Sequence, residues 1–181
     1  MNIFFNKHNL NFYNTLLSLS RNIFFYNKIK LSDTLETRLY LIFFHFSILM
    51  IISKQKRKVF DQKSYDNLFN SIEYNLRELG FGDISVNKKM KELNKIFYDI
   101  LLKINLSDNK SIKINHKVVF KYFKEFENLK SDKYTIFESY FSNFFYFCFE
   151  LPIESMLEKA IKFKDKSWQY QKEKLQSQKK E

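Results

Sequence analysis

Three histidines and one cysteine are the side chains of this sequence best suited to catalysis or metal binding. His8, His45 and His116 are far apart in the chain, and none has a neighbour at metal-ligand spacing. Cys148 lies between two phenylalanines, which favours a packed thiol over a nucleophile. Two glycines cannot build a phosphate-binding loop or a dinucleotide fingerprint. We therefore predict that the protein is not an enzyme and that it has no metal site and no cofactor.

A cluster of lysines is the strongest chemical signal in the chain. Lys88, Lys91 and Lys95 recur at helical spacing, which predicts a cationic stripe on one helix, with Lys89 on its flank. This stripe is either an ordinary solvated helix face or a ridge that binds an anionic partner. The net charge of +11 would attract nucleic acid, a lipid surface or an acidic protein face. We take these four lysines and Arg77 as candidate partner-binding residues.

Both glycines fall within one tetrapeptide, Gly80-Phe81-Gly82-Asp83. Gly80 follows an apolar helical pattern at the C′ position, where a left-handed residue closes a helix. Gly82 and Asp83 would then form a short turn that lets two helices pack antiparallel, with Arg77 helping to fix the corner. Alternatively, Gly82 allows the backbone of a partner to approach closely.

His45 lies in the middle of the longest uncharged apolar run, LYLIFFHFSILMIIS, between Arg38 and Lys54. This run has 15 residues, whereas about 20 are needed to span the hydrocarbon of a bilayer. We predict a buried core helix, with a membrane span as the alternative. A buried imidazole needs a hydrogen-bond partner, so we expect His45 to be structural, with a contact to a partner as the alternative.

The composition predicts one all-α domain of six to seven helices. The chain of 181 residues is 45% hydrophobic, with 22 Phe, 11 Tyr, one Pro and two Gly, so the core should be aromatic and helix breaks few. The predicted domain covers residues 1–168, followed by a polar tail at 169–181. Ser32 or Asp33, Asp61 and Ser85 are the expected caps, Glu36 completing a capping box. The predicted helices cover residues 10–28, about 34–53, 62–79, 86–104, 114–128, 131–152 and a segment from 154.

The segments LSDTLETR, FFHFSILMI and IEYNLRELGFGDISVNKKMKELNKIFY resemble the ubiquinol–cytochrome c chaperone family, with the alphaproteobacterial members most similar. The resemblance covers about residues 31–105 and includes the glycine corner, the basic residues after it and His45. The sequence departs from the family at Phe46-Ser47, where a tryptophan or aliphatic residue is usual. It also lacks an Arg-Asn pair in VFKYFKEF.

The resemblance implies an all-helical, non-enzymatic chaperone that holds newly made cytochrome b and passes it to assembly of the ubiquinol–cytochrome c reductase complex. Such proteins work near the ribosome and the membrane with a small partner protein. The alternative is a basic protein that associates with ribosomes, RNA or an anionic membrane surface and has no dedicated client; DNA is not an expected partner. We expect a bacterial cytoplasmic protein at the inner membrane, rather than a mitochondrial matrix protein, because no long targeting segment precedes the helices.

Overall fold

Seven α-helices and one β-hairpin form the part of the chain that the computed structural model describes, which is residues 7–106, 111–126 and 132–164, with side chains from residue 12 onward. The helices are α1 (Lys7–Ser20), α2 (Leu35–Gln55), α3 (Gln62–Glu78), α4 (Asp83–Leu101), α5 (His116–Tyr122), α6 (Asp132–Phe149) and α7 (Ile153–Lys159). The strands β1 (Ile104–Leu106) and β2 (Ile112–Ile114) pair antiparallel. The expected all-α class is confirmed, apart from this small sheet. The predicted tail at 169–181 lies outside the described residues.

The apolar helix α2 is the centre of the bundle. It packs against α1, α4 and α6, and its buried residues lie on every side of the helix. By length and composition alone it could cross a membrane, but 67% of its most apolar window is buried inside the protein. It therefore occupies the position predicted for a core helix. Its buried apolar residues are Leu39, Leu41, Ile42, Phe43, Phe44, Phe46, Ile48, Leu49 and Ile52.

Aromatic rings fill the space between α2, α4 and α6. Phe43 of α2 meets Phe97 of α4 edge-on, with ring centroids 5.6 Å apart. On the other side, Phe44 meets Phe141 of α6 at 5.4 Å. Offset and edge-to-face ring pairs are favourable beyond the area they bury, so these contacts fix how the helices pack.

His45 is fully buried in this aromatic core and both of its ring nitrogens have partners. Its Nδ1–H donates to the carbonyl of Leu41, 2.7 Å away, so the ring is in the tautomer whose Nε2 accepts. The hydroxyl of Tyr140 donates to that Nε2 across 3.1 Å, and the side chain of Asn22 hydrogen-bonds the tyrosine in turn. Burial lowers the pKa of His45 to about 3. The imidazole therefore stays neutral and ties α6 to α2, the structural role expected from its place in the sequence.

The helix predicted at 10–28 is wrong in its second half. The helix α1 ends at Ser20, and a π-helical turn at Phe24–Lys28 follows. The side-chain oxygen of Asn22 accepts a hydrogen bond from the backbone N–H of Phe24, 3.1 Å away, which offers the chain a local alternative to continuing the helix. Helical spacing would place Leu10, Tyr13, Leu17 and Phe24 on one apolar face of this helix. In the structure Phe24 is buried, Tyr13 and Leu17 are half-buried against the core, and the side chain of Leu10 lies outside the described ones.

The hairpin replaces the end of one predicted helix and the start of the next. Ile104, Ile112 and Ile114 bury their side chains at alternate strand positions, where β-branched residues pack well. The carboxylate of Glu138 on α6 accepts from the backbone N–H of Ile114, 3.0 Å away, and the hydroxyl of Tyr134 donates to the carbonyl of Ile114. Side chains of α6 thus satisfy the free edge of β2. These partners lie on another helix, so the helical pattern around the hairpin could not predict them.

The helix α2 begins one residue later than expected. Thr34 is its N-cap, and its hydroxyl accepts from the backbone N–H of Thr37, 3.1 Å away. Asp33 instead forms a bidentate ion pair with Arg38, whose Nε and Nη2 lie 2.7 and 2.8 Å from the two carboxylate oxygens. The predicted capping role of Glu36 is wrong, because its carboxylate faces Lys89 of α4.

Replacement of His45 by Gln should change how stability depends on pH. The pKa of this ring is about 3 when folded and 6.5 when unfolded. Between these two pKa values the unfolded chain binds one more proton than the folded chain. The stability that is fully present above about pH 6.5 therefore decreases as the pH falls. We expect the parent to lose about 2 kcal/mol more unfolding free energy than His45→Gln between about pH 7 and pH 5, measured by urea unfolding. Parallel pH profiles for the two proteins would contradict the buried neutral ring.

Candidate partner-binding surfaces

The corner between α3 and α4 is closed by backbone hydrogen bonds that require a left-handed residue. Gly80 has a φ of +87°, and its N–H donates to the carbonyl of Arg77 across 2.9 Å. The N–H of Phe81 donates to the carbonyl of Leu76 across 3.2 Å. This bond pair forms the Schellman motif, which satisfies two of the last helical carbonyls. Asp61 caps the other end of α3, accepting from the N–H of Ser64 at 3.0 Å, so the sequence predicted both ends of this helix.

The second glycine begins the next helix. Gly82 is the N-cap of α4, and its carbonyl accepts from the N–H of Val86 across 2.9 Å. The predicted cap, Ser85, is wrong, since it already lies in the first turn. Arg77 bridges the corner by pairing with Glu73 at 2.8 Å and with Asp83. These ion pairs are exposed, so they orient the turn more than they stabilise the fold.

The predicted lysine stripe lies on the solvent side of α4. Lys88, Lys91 and Lys95 are exposed and form no ion pair with any residue that the structure describes. Lys89 is only half exposed, and its ammonium lies 3.3 Å from the carboxylate of Glu36. The structure therefore brings three of the four lysines together on one free face and turns the fourth towards α2.

Exposed apolar side chains extend this face at both ends. Ile84 is 87% exposed at the start of α4, while Tyr98 is 50% and Leu102 is 73% exposed at its end. With the three lysines they follow one another at intervals of four, three, four, three and four residues, the spacing of one helix face. We call these six residues the α4 stripe: Ile84, Lys88, Lys91, Lys95, Tyr98 and Leu102. Sequence reasoning found only its lysines, although this periodicity was present.

A cleft of about 280 Å³ opens between α1, α2 and α3, beside the glycine corner. Its floor is apolar, and Leu79, which is 60% exposed, lies on its rim. Asn75 donates to the hydroxyl of Tyr13, which joins α3 to α1 at the cleft. Its lining residues are Tyr13, Leu17, Arg21, Leu35, Arg38, Leu39, Ile42, Ile72, Asn75, Leu76, Glu78 and Leu79.

The cleft combines this apolar floor with two arginines. Arg21 is exposed, and Arg38 is held by Asp33, which accepts hydrogen bonds from it that lower the pKa of the Asp33 carboxyl. The cleft can therefore take an apolar side chain with a polar or anionic group beside it. Sequence reasoning missed this site because its wall residues come from three helices whose relative placement no local pattern gives.

Of the groups suited to catalysis, His45 and Cys148 are buried, His116 is exposed at the start of α5, and the side chain of His8 lies outside the described ones. Cys148 is buried in α6, and burial raises the pKa of its thiol. Among the described residues, no group of three or more His, Cys, Asp or Glu side chains could hold a metal ion.

The described residues form a mostly helical protein with two candidate contact surfaces, the α4 stripe and the cleft. A model of the family described as ubiquinol-cytochrome C chaperone matches residues 27–115, which include α2, α3, the glycine corner, α4 and the hairpin. The resemblance inferred from the sequence is therefore confirmed over these residues. Its assignment to the alphaproteobacterial type stays a prediction. No curated protein and no solved structure matches the chain significantly.

Substitution of the two glycines by Ala should separate backbone strain from packing. A Cβ at either position would meet no atom within 4 Å, so only the backbone conformation differs. Gly80→Ala should cost about 1 kcal/mol or more, because a left-handed conformation is unfavourable for residues with a Cβ. Gly82→Ala, with a φ of −71°, should change stability by less than about 0.5 kcal/mol. Chemical denaturation of both variants tests this; equal stabilities would refute the strained corner.

Proposed function

We propose that this protein is an assembly chaperone for the ubiquinol–cytochrome c reductase complex and that its client is newly made cytochrome b. The observation that carries the proposal is the family match over residues 27–115. That match alone indicates a chaperone of this complex; the identity of the client is our inference.

The cleft beside the glycine corner is the proposed contact with the client. Most of its lining residues belong to the matched region, on α2 and α3. Leu17 and Leu35 on its walls are half-buried, and Leu79 at its rim is exposed, so a bound apolar side chain would remove all three from water. Burial of apolar surface is favourable by roughly 25 cal/mol per Å². A membrane protein such as cytochrome b presents apolar segments before insertion, which fits this lining.

The arginines of the cleft would restrict which apolar segment binds. Arg21 and Arg38 flank the apolar floor from α1 and α2. A segment with a carboxylate or an exposed backbone carbonyl beside its apolar side chain would meet the guanidinium group of Arg21, since Asp33 already engages that of Arg38. We therefore propose that the recognised segment is apolar with an acidic or uncharged flank.

The proposed client also indicates where in the cell the protein would act. Cytochrome b is made on ribosomes and enters a membrane, so a chaperone that holds it works between the two. We propose a cytoplasmic protein at the face of a bacterial inner membrane, with a small partner protein or the ribosome as a further contact of its basic surface. The net charge of +11 supports contacts of this kind.

Affinity purification of the tagged protein from its own cells at low and high salt tests the proposal. We expect mass spectrometry to find cytochrome b at both salt concentrations, because apolar contacts depend little on ionic strength. Leu79→Glu should reduce the recovered cytochrome b by about tenfold or more, since a carboxylate would be placed at the apolar rim. Tyr74→Glu is the matched control, because Tyr74 is 62% exposed on the same helix as the rim of the cleft and lies outside both the cleft and the α4 stripe.

Two other outcomes would contradict parts of this proposal. If only ribosomal proteins or RNA are recovered, with a log-linear decline as salt rises, the protein is a charge-driven ribosome-associated binder without a dedicated client. If cytochrome b is recovered equally with the parent, Leu79→Glu and Tyr74→Glu, the chaperone assignment stands and the cleft is not the client site.

A further inference from the structure

The α4 stripe presents cations and apolar side chains along a single line on the surface. At 100° per residue, all six of its side chains lie within about 40° of one line along the helix, over a length of about 27 Å. The opposite face of α4 packs Val86, Leu93 and Phe97 into the core, so the stripe is held rigidly towards solvent. The family match does not give a role to this exposed line, and the proposed client contact uses none of its residues.

We infer that the α4 stripe docks this protein on the surface of an anionic lipid bilayer. Lys88, Lys91 and Lys95 would bind the phosphate and carboxylate groups of the lipid heads in the middle of the stripe. Ile84 at one end and Leu102 at the other would enter the interfacial layer. A tyrosine is favourable at the same depth, because its ring is apolar and its hydroxyl reaches water.

The apolar ends distinguish a bilayer from a nucleic acid. Ile84 and Leu102 have neither a ring that stacks on a base nor a group that hydrogen-bonds a phosphate, so both would stay in water on an RNA backbone. A planar lipid surface instead contacts the middle and both ends of a straight helix face at once. The exposed aliphatic groups are then removed from water while the cations meet anionic heads, which is how interfacial helices bind.

A second basic segment lies near one end of the stripe. The hydroxyl of Tyr98 lies 3.4 Å from that of Tyr65 in the first turns of α3, so the chain that leads into α3 is close to this end. That chain is the segment KQKRK at 54–58, followed by Val59, which is 97% exposed. Lys54, Arg57 and Lys58 are exposed, whereas Lys56 is used internally, donating to the carbonyl of Leu151 across 2.6 Å. The same combination of cations and an exposed aliphatic residue thus recurs in the segment that leads into α3.

The acidic groups near the stripe weaken its field only in part. Asp99 is engaged by Lys121 at 2.7 Å and by the hydroxyl of Tyr122 at 2.6 Å. Asp83 at the other end is paired with Arg77. Glu92, on the flank of the lysines, is exposed and opposes one of their charges. The stripe with the KQKRK segment therefore keeps a clear positive excess.

Vesicle flotation of the purified full-length protein tests this inference. We expect the protein to float with vesicles of phosphatidylcholine mixed with phosphatidylserine, and to stay in solution with phosphatidylcholine alone. The triple variant Lys88→Gln/Lys91→Gln/Lys95→Gln should bind about a hundredfold more weakly, at about fivefold for each lysine near an anionic surface. Ile84→Gln/Leu102→Gln should weaken binding by about tenfold without any change of charge.

The matched control keeps the net charge of the triple variant but leaves the stripe intact. Lys117, Lys124 and Lys162 are exposed, lie outside α4 and form no ion pair with a described residue. Their replacement by Gln should change vesicle binding by less than about threefold, because only distant steering is lost. Thermal unfolding of each variant, which should match the parent since all sites are exposed, shows that binding and not folding has changed.

Three results would overturn the inference. Equal loss of binding in the control triple would mean that net charge alone drives the association. Equal binding by Ile84→Gln/Leu102→Gln and the parent would mean that the apolar ends do not enter the bilayer. Absence of flotation, with binding of a single-stranded RNA that the lysine triple abolishes, would assign the stripe to nucleic acid. Because the assay contains no client, none of these results depends on whether cytochrome b is the client.

Discussion

The burial of α2 on every side is the constraint on which the rest of this structure depends. An apolar helix with no polar face must be covered from all directions, so other helices surround it. Ring contacts such as Phe43 with Phe97 and Phe44 with Phe141 hold α2 in one rotation about its axis. His45 adds a directional constraint, because its Nε2 must meet the hydroxyl of Tyr140 or remain unsatisfied in the core. Through Asn22 the same chain of hydrogen bonds also reaches the break after α1.

The glycine corner determines where the residues of two surfaces lie relative to the core. α3 and α4 both pack around α2 or its neighbours, and the left-handed Gly80 reverses the chain between them within a few residues. The reversal places Leu79 at the rim of the cleft and Ile84 at the start of the α4 stripe. A short stretch of backbone therefore positions one residue of each proposed contact surface. The conformation of the corner, more than its exposed ion pairs, determines this arrangement.

The two proposed surfaces differ in the forces that they use. The cleft is concave, with an apolar floor and arginines beside it, and suits one apolar segment of a client. The α4 stripe is convex and mixes lysines with exposed aliphatic groups, which suits a planar anionic surface. On the proposed function, the cleft would hold the client and the α4 stripe would hold the protein at the membrane, and neither proposed contact needs a catalytic group.

The sequence by itself determined the features that depend on neighbouring residues. The cap at Asp61, the left-handed Gly80, the lysines of α4 and the buried helix around His45 all follow from local hydrogen bonds or from helical periodicity, and the family resemblance lies in these same segments. Only the tertiary structure decided the hairpin, the break after α1 and the cleft. The edge of β2 is satisfied by Glu138 from another helix, and the cleft is assembled from three helices. Contacts between distant residues leave no periodic signal in one sequence, and therefore they could not be predicted from it.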